Sequence, residues 1–158
     1  MNWQEVCEHP SLQDLPFKIE LDEMGRIIMS PVKLYHSAFQ VKIALLLERL
    51  LNNGIALSEC AIKTRSGTKV ADVAWASNDL WKQIKNETEA PTAPEICVEI
   101  ISAGNTQKEM IEKRALYFEA GAKEVWLCDE DGAMSFFNAQ QQLEQSQLVP
   151  AFPLKINI

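Results

Sequence analysis

The run Glu95-Ile-Cys-Val-Glu-Ile-Ile101 carries a carboxylate inside the most β-favouring stretch of the chain. Strand alternation puts Ile96, Val98 and Ile100 on one face and Cys97, Glu99 and Ile101 on the other. Apolar side chains on both faces describe a central strand covered on both sides. Glu99 is costly there unless it is paired, protonated or bound to a cation. The chain must therefore build layers around this strand and bring a partner to Glu99.

Val70-Ala-Asp-Val-Ala-Trp75 poses the same problem, because Asp72 shares a strand face with Val70 and Ala74. A turn-capping role is weakened by the lack of flanking Gly, Pro or Asn. Two carboxylates on neighbouring strands, pointing to one side, make an oxygen-rich site for a hard divalent cation, Mg²⁺ or Mn²⁺.

Lys113 breaks a third pattern. Thr106-x-x-Glu109 has capping-box spacing and Gly121 suits a helix end, so residues between them read as a helix. On it Met110, Lys113, Tyr117 and Ala120 form one stripe. A lysine there either snorkels to the edge or meets a buried partner. Because this helix follows the Glu99 strand, it packs back on the sheet and can deliver the ammonium to the carboxylates.

The other elements fill in the frame. Residues 18–30 alternate around Asp22–Gly25 as a hairpin. Phe39, Ile43, Leu46, Leu47, Leu50 and Leu51 follow helical spacing from about Ser37 to Asn53, with Gly54 as the stop. Ile55–Thr64 and Lys69–Ala76 form a second hairpin, residues 78–86 a short helix, and Glu87–Pro94 a loop. Asp131-Gly132 joins Glu124–Cys128 to Ala133–Phe137 in a third hairpin. This order predicts one α/β (α+β) domain over 1–158, a mixed sheet with helices on it.

Charge bears on the partner. The chain has 15 Lys+Arg against 22 Asp+Glu, a net −7, which argues against a generic nucleic-acid coat. Yet residues 31–70 carry six bases, Lys33, Lys42, Arg49, Lys63, Arg65 and Lys69, against Glu48 and Glu59. This block is either a solvated face or a phosphate-binding one. No apolar stretch is long enough for a membrane helix, and the acidic start has no signal-peptide pattern. Four scattered cysteines read as reduced thiols, so a cytoplasmic location is expected. Two histidines and no Cys-x-x-Cys pair argue against zinc, and no P-loop is present.

Asp, Glu, Lys and a divalent metal suit phosphodiester hydrolysis: the metal polarises the phosphate and lysine offsets developing charge. A glycosidase with Asp72 and Glu99 as its carboxylate pair is the weaker enzyme reading, because three candidate groove tryptophans supply little aromatic surface.

Pro94-Glu-Ile-Cys-Val-Glu-Ile-Ile-Ser-Ala-Gly-Asn-Thr and Glu112-Lys-Arg-Ala-Leu-Tyr-Phe-Glu-Ala-Gly-Ala-Lys-Glu-Val-Trp-Leu-Cys128 resemble the Uma-two family. These are bacterial restriction endonucleases of the PD-(D/E)XK nuclease superfamily. Glu20-Leu, Gly25, Met29-Ser-Pro and His36 resemble the family's opening segment, and Val70-Ala-Asp-Val-Ala-Trp its Pro-Asp strand. The resemblance covers roughly residues 18–155. It implies a restriction-endonuclease-like fold, a four-stranded mixed sheet flanked by helices and extended by the N- and C-terminal hairpins.

The resemblance also implies roles. Asp72 matches the first acid and Glu99 the second, with the Ile100 backbone carbonyl as a further metal ligand. Ala71 stands where proline often precedes the first acid. Ile101 stands where the superfamily lysine sits, and Lys113 takes its place from the following helix. Glu20 and His36 are accessory positions, His36 contacting phosphate or, as favoured, capping its helix. Lys33, Lys42, Lys63, Arg65 and Lys69 would bind nucleic acid, DNA being the expected substrate, and a homodimer would serve both strands. The competing expectation is a catalytically inert nuclease-like fold acting as a binding or assembly module, favoured by the missing lysine at 101 and the acidic surface.

Overall fold

The computed structural model describes residues 1–158. In chain order the elements are α1 (Trp3–Glu8), β1 (Phe17–Leu21), β2 (Ile27–Pro31), α2 (Leu34–Leu50), β3 (Gly54–Thr64), β4 (Gly67–Ser77) and α3 (Asn78–Ile84). There follow β5 (Ile96–Ile100), α4 (Gln107–Glu119), β6 (Glu124–Cys128), β7 (Met134–Phe137) and β8 (Gln142–Leu143). Strands β3 to β8 form one six-stranded sheet in sequence order. It is mixed: β5 and β6 run parallel, joined by α4 as a crossover, and the other pairs are antiparallel.

All five residues of β5 are buried, as a central strand requires. Its Ile96, Val98 and Ile100 face a layer made by Phe39, Ile43 and Leu47 of α2 with Val149, Phe152 and Ile156 of the C-terminal segment. Trp126 anchors this layer against Phe152 and Phe136, ring centroids 4.6 and 5.1 Å away. Cys97 faces the opposite layer, where Tyr117 of α4 and Ile84 of α3 cover Ala74, Ala76 and Val125. Small side chains on that face let the helix approach closely.

The N-terminal hairpin departs from expectation: β1 and β2 form a separate two-stranded sheet and do not extend the central one. Its tethers to β4 explain why. The Glu20 carboxylate takes the Val70 N–H (2.7 Å), and Lys69 Nζ donates to the Leu21 carbonyl (3.2 Å). Gly67, at φ 91°, lies so close that a Cβ would fall 2.3 Å from the Leu21 and Asp22 carbonyl oxygens. The hairpin is therefore laid against the tip of the β3–β4 ribbon, whose own turn is only Arg65-Ser66.

Helix α2 starts at Leu34 and stops at Leu50, about three residues before the expected bounds at each end. Its N-cap, Lys33, makes no side-chain cap, so no cap signature marks the start. Asn53 takes the positive φ (62°) expected of Gly54, which instead begins β3. Helix α4 keeps the predicted capping box, and Gly121 adopts φ 117° just past its end. No helix is long and apolar enough to cross a membrane, and all four cysteines are free.

Candidate active site

The two strand carboxylates converge. Asp72 from β4 and Glu99 from β5 are 1% and 3% exposed. Between them lies the ammonium of Lys18, 3.0 Å from Asp72 Oδ1 and 3.0 Å from Glu99 Oε2. Glu99 Oε1 accepts from the Tyr117 hydroxyl (2.6 Å) and lies 3.1 Å from Lys113 Nζ. Lys113 also pairs with Glu20 Oε2 at 2.8 Å. Asp72 Oδ2 accepts the Ile100 N–H (2.7 Å), and His36 Nε2 lies 3.1 Å from Asp72 Oδ1.

Each element has a local reason to deliver its group. Antiparallel β4 and parallel β6 hold β5 in register on both sides, so Glu99 cannot leave the sheet. The stripe on α4 drops Lys113 and Tyr117 onto Glu99 because the helix is the crossover between parallel β5 and β6 and packs back over that sheet. An extended residue turns its N–H and C=O to the same side, and the Ile100 N–H faces Asp72, so its carbonyl is aimed there as well. Gln40 of α2 donates to the Asp72 carbonyl (2.8 Å), pinning β4 to the helix that carries His36.

The environment splits the three acids. Burial would raise Asp72, but Lys18, His36 and the Ile100 N–H hold it below the usual carboxylate range. Burial also opposes ionisation of Glu20, yet Lys113, Lys18 and the Val70 N–H keep it low. For Glu99, burial is the largest effect and pushes it up; Lys113 and Lys18 oppose this, while Asp72 and Glu20 add to it. Burial and Glu99 also push Tyr117 well up, so it stays a neutral donor.

Beside this cluster opens a cleft of about 1040 Å³ between β2, the start of α2, the β3–β4 turn and the first turns of α4. Glu20, His36 and Lys113 line it, together with Lys33, Arg65 and Lys69. The structure thus gathers three of the five expected phosphate-binding residues. Lys42 lies instead in a separate groove of about 340 Å³ with Arg49 and Lys155, and exposed Lys63 is outside the cleft lining.

Among the acids and bases, Asp72, Glu99, Lys113 and Glu20 come together as expected. His36 requires a correction: it does not cap α2, whose N-cap is Lys33, but turns inward from the first turn to Asp72. Its Nδ1 is buried without a partner. Sequence reasoning missed Lys18 and the hydroxyl of Tyr117. The signal for Lys18 was available, since strand alternation in Phe17–Leu21 puts it on the same face as Glu20. Tyr117 sits among apolar residues of its stripe, and nothing in that spacing signals that its hydroxyl meets Glu99.

Adjacent buried carboxylates with lysines, on neighbouring interior strands of a helix-covered mixed sheet, define a nuclease-like domain of the restriction-endonuclease type. The sequence profile of the Uma2 family, described as "Putative restriction endonuclease", matches residues 3–155, and the chain belongs to that family. Among solved structures it is similar to a putative nuclease belonging to DUF820 from Anabaena variabilis, with TM-score 0.71 and 19% identity. That likeness covers 89% of this chain and 81% of the other, and it shows the fold. No curated protein matches.

Proposed function

We propose that this chain is a metal-dependent endonuclease that hydrolyses phosphodiester bonds of nucleic acid, DNA being the substrate. The observation that carries the reading is the convergence of Asp72 and Glu99 on one cation position, with Lys113 at 3.1 Å from Glu99 and lining the neighbouring cleft. No group of three or more His, Cys, Asp or Glu side chains is placed to hold a metal. Two carboxylates and a carbonyl nevertheless suit Mg²⁺, which keeps several of its waters. The Lys18 ammonium is a stand-in that marks where the two oxygens favour positive charge.

Asp72, Glu99 and the Ile100 carbonyl would hold Mg²⁺ or Mn²⁺, which when bound supplies polarisation of the scissile phosphate. Lys113 offsets charge developing on the phosphate oxygens, and Glu20 fixes its ammonium from the far side. His36 holds the Asp72 carboxylate in orientation. Lys33, Arg65 and Lys69 bind flanking phosphates along the cleft. Three such contacts against a net −7 predict weak, salt-sensitive binding. Cutting both strands of a duplex calls for two sites, hence a homodimer, which sedimentation velocity would detect.

The test is nicking of supercoiled DNA with added Mg²⁺ or Mn²⁺. Wild type is expected to cut, Asp72→Asn to be inactive, and Lys113→Met to be strongly impaired with its fold intact. Equal cleavage by Lys113→Met would remove Lys113 from the mechanism. A second reading, an inert nuclease-like binding module, is favoured by one feature: Lys18 bridges both carboxylates. It predicts DNA binding without cleavage at any metal concentration and no change in binding on Asp72→Asn.

A further inference from the structure

We infer that Lys18 is a built-in placeholder for the divalent cation, an ammonium that must leave the Asp72–Glu99 pair before a metal can occupy it. This rests on the metal-binding reading above and adds a competitor supplied by the chain itself.

The geometry sets the two cations in competition for the same oxygens. Lys18 Nζ sits 3.0 Å from one oxygen of each carboxylate. A Mg²⁺ about 2.1 Å from Asp72 Oδ1 could lie no more than about 5 Å from that nitrogen, given the 3.0 Å between Nζ and the oxygen. The Lys18 side chain is 9% exposed, so little water stands ready to screen the repulsion. Occupancy by one therefore disfavours the other.

The charge count makes the exchange coupled. Counted as ionised, Lys18 and Lys113 face Asp72, Glu99 and Glu20, leaving the cluster one negative charge in excess. Removing Lys18 alone would leave two, whereas a dication in its place balances the cluster. Lys18 therefore has no reason to depart until a metal arrives.

Its position also allows departure. Lys18 lies on β1, which forms no backbone ladder with the central sheet, and its ammonium ends a flexible four-carbon stem. Neighbouring Glu20 and Lys113 line the open cleft, which offers the stem a way out. Lys113 differs in kind: it holds the other oxygen of Glu99 and Glu20, and it can remain when the metal enters. A lysine serving only as a structural ion pair would show none of this competition.

Calorimetric titration with Mn²⁺ alone, without nucleic acid, separates the possibilities in wild type, Lys18→Met and Asp72→Asn. We expect Lys18→Met to bind about tenfold tighter than wild type or better, and Asp72→Asn to bind no metal. If wild type binds through Asp72 but Lys18→Met binds no tighter, the placeholder is overturned and the metal site stands. If no protein binds, the metal reading itself falls and takes the placeholder with it. Should Lys18→Met fold only with metal present, wild type alone decides. The Lys18 ε-carbon NMR resonance, identified by its loss in Lys18→Arg, should move towards that of a solvated lysine on Mg²⁺ addition. A resonance unmoved at saturating Mg²⁺ would overturn the inference.

Discussion

Two buried glutamates sit at opposite ends of the same pair of parallel strands, and their surroundings differ completely. Glu124, which pairs in register with Ile96 at the start of β6, is 2% exposed. It accepts from the Ser146 hydroxyl (3.0 and 2.8 Å), the Gln147 N–H (2.9 Å) and the Leu148 N–H (3.3 Å). All these donors are neutral and come from one loop, so Glu124 staples the C-terminal segment to the sheet. Glu99, near the other end of β5, takes two lysines and a tyrosine from β1 and α4. Burial of a carboxylate therefore does not itself make a site. Neutral donors from one loop fix it in one arrangement, whereas cations on independent elements can be exchanged.

The largest expected effect tests that division directly. Glu99→Gln should abolish Mn²⁺ binding and lower metal-supported DNA cleavage on the order of a hundredfold to a thousandfold. Glu124→Gln, at the far end of the strands, should change cleavage by less than about twofold, because distant sites without shared partners act independently. Comparable losses from both variants would break the comparison.

Stability should reverse the ranking. Glu124 offers its donors a charged acceptor that a neutral amide can only partly replace, so Glu124→Gln should lose about 1.5–3 kcal/mol in urea denaturation. Glu99→Gln removes the cost of burying a charge together with its ion pairs, and it strands neither lysine, since Lys18 keeps Asp72 and Lys113 keeps Glu20. We expect a smaller net change there, measured without metal.

The contrast also explains what could be read from the sequence. The sheet, its two covered faces and the order of its elements followed from alternation and helical spacing, since burial imposes those periods directly. Asp72, Glu99 and Lys113 were legible because each breaks an apolar pattern. Lys18 breaks no pattern, because β1 is half-exposed; only the strand face it shares with Glu20 points to it. Glu124 opens its strand, where a polar residue is unremarked, and its donors lie more than twenty residues away in a polar loop. Helix α1 was missed because six residues carry too little periodicity, although Asn2 and Glu5 form a capping box. The docking of the first hairpin depends on Gly67 meeting two carbonyls of another element, which no local pattern reports.

Acid sensitivity gives a smaller, signed test. Asp72 and Glu20 titrate lower in the folded protein, so their stabilisation is complete above the unfolded value near pH 4 and is lost as pH falls through their folded values. Glu99 is raised, so its contribution has the opposite sign: present below about pH 4 and lost as pH rises through its folded value. Asp72→Asn should therefore flatten the acid limb of a stability–pH curve. Glu99→Gln should instead remove a loss of stability on the side above about pH 4. An unchanged acid limb in Asp72→Asn would show that its ion pairs form no better in the folded chain than in the unfolded one.

The smallest expected effect asks how local the exchangeable cluster is. Helix α4 carries Lys113 and Tyr117 to Glu99, and its start is held by Thr106 and Glu109, each accepting the other's backbone N–H (3.1 and 3.4 Å). Thr106→Ala should cost about 1 kcal/mol of stability, and Thr106→Ser should restore it. For a chain of this length that corresponds to a fall in Tm of roughly 2–4 °C. Met110, Leu116 and Tyr117 are buried, so packing along α4 should hold Lys113 in place even with the first turn frayed. Metal affinity measured by calorimetry should then be unchanged in Thr106→Ala. A tenfold fall in affinity would mean that the helix start positions the lysine, and that the boundary between the structural and exchangeable carboxylates lies further from Glu99 than its direct partners.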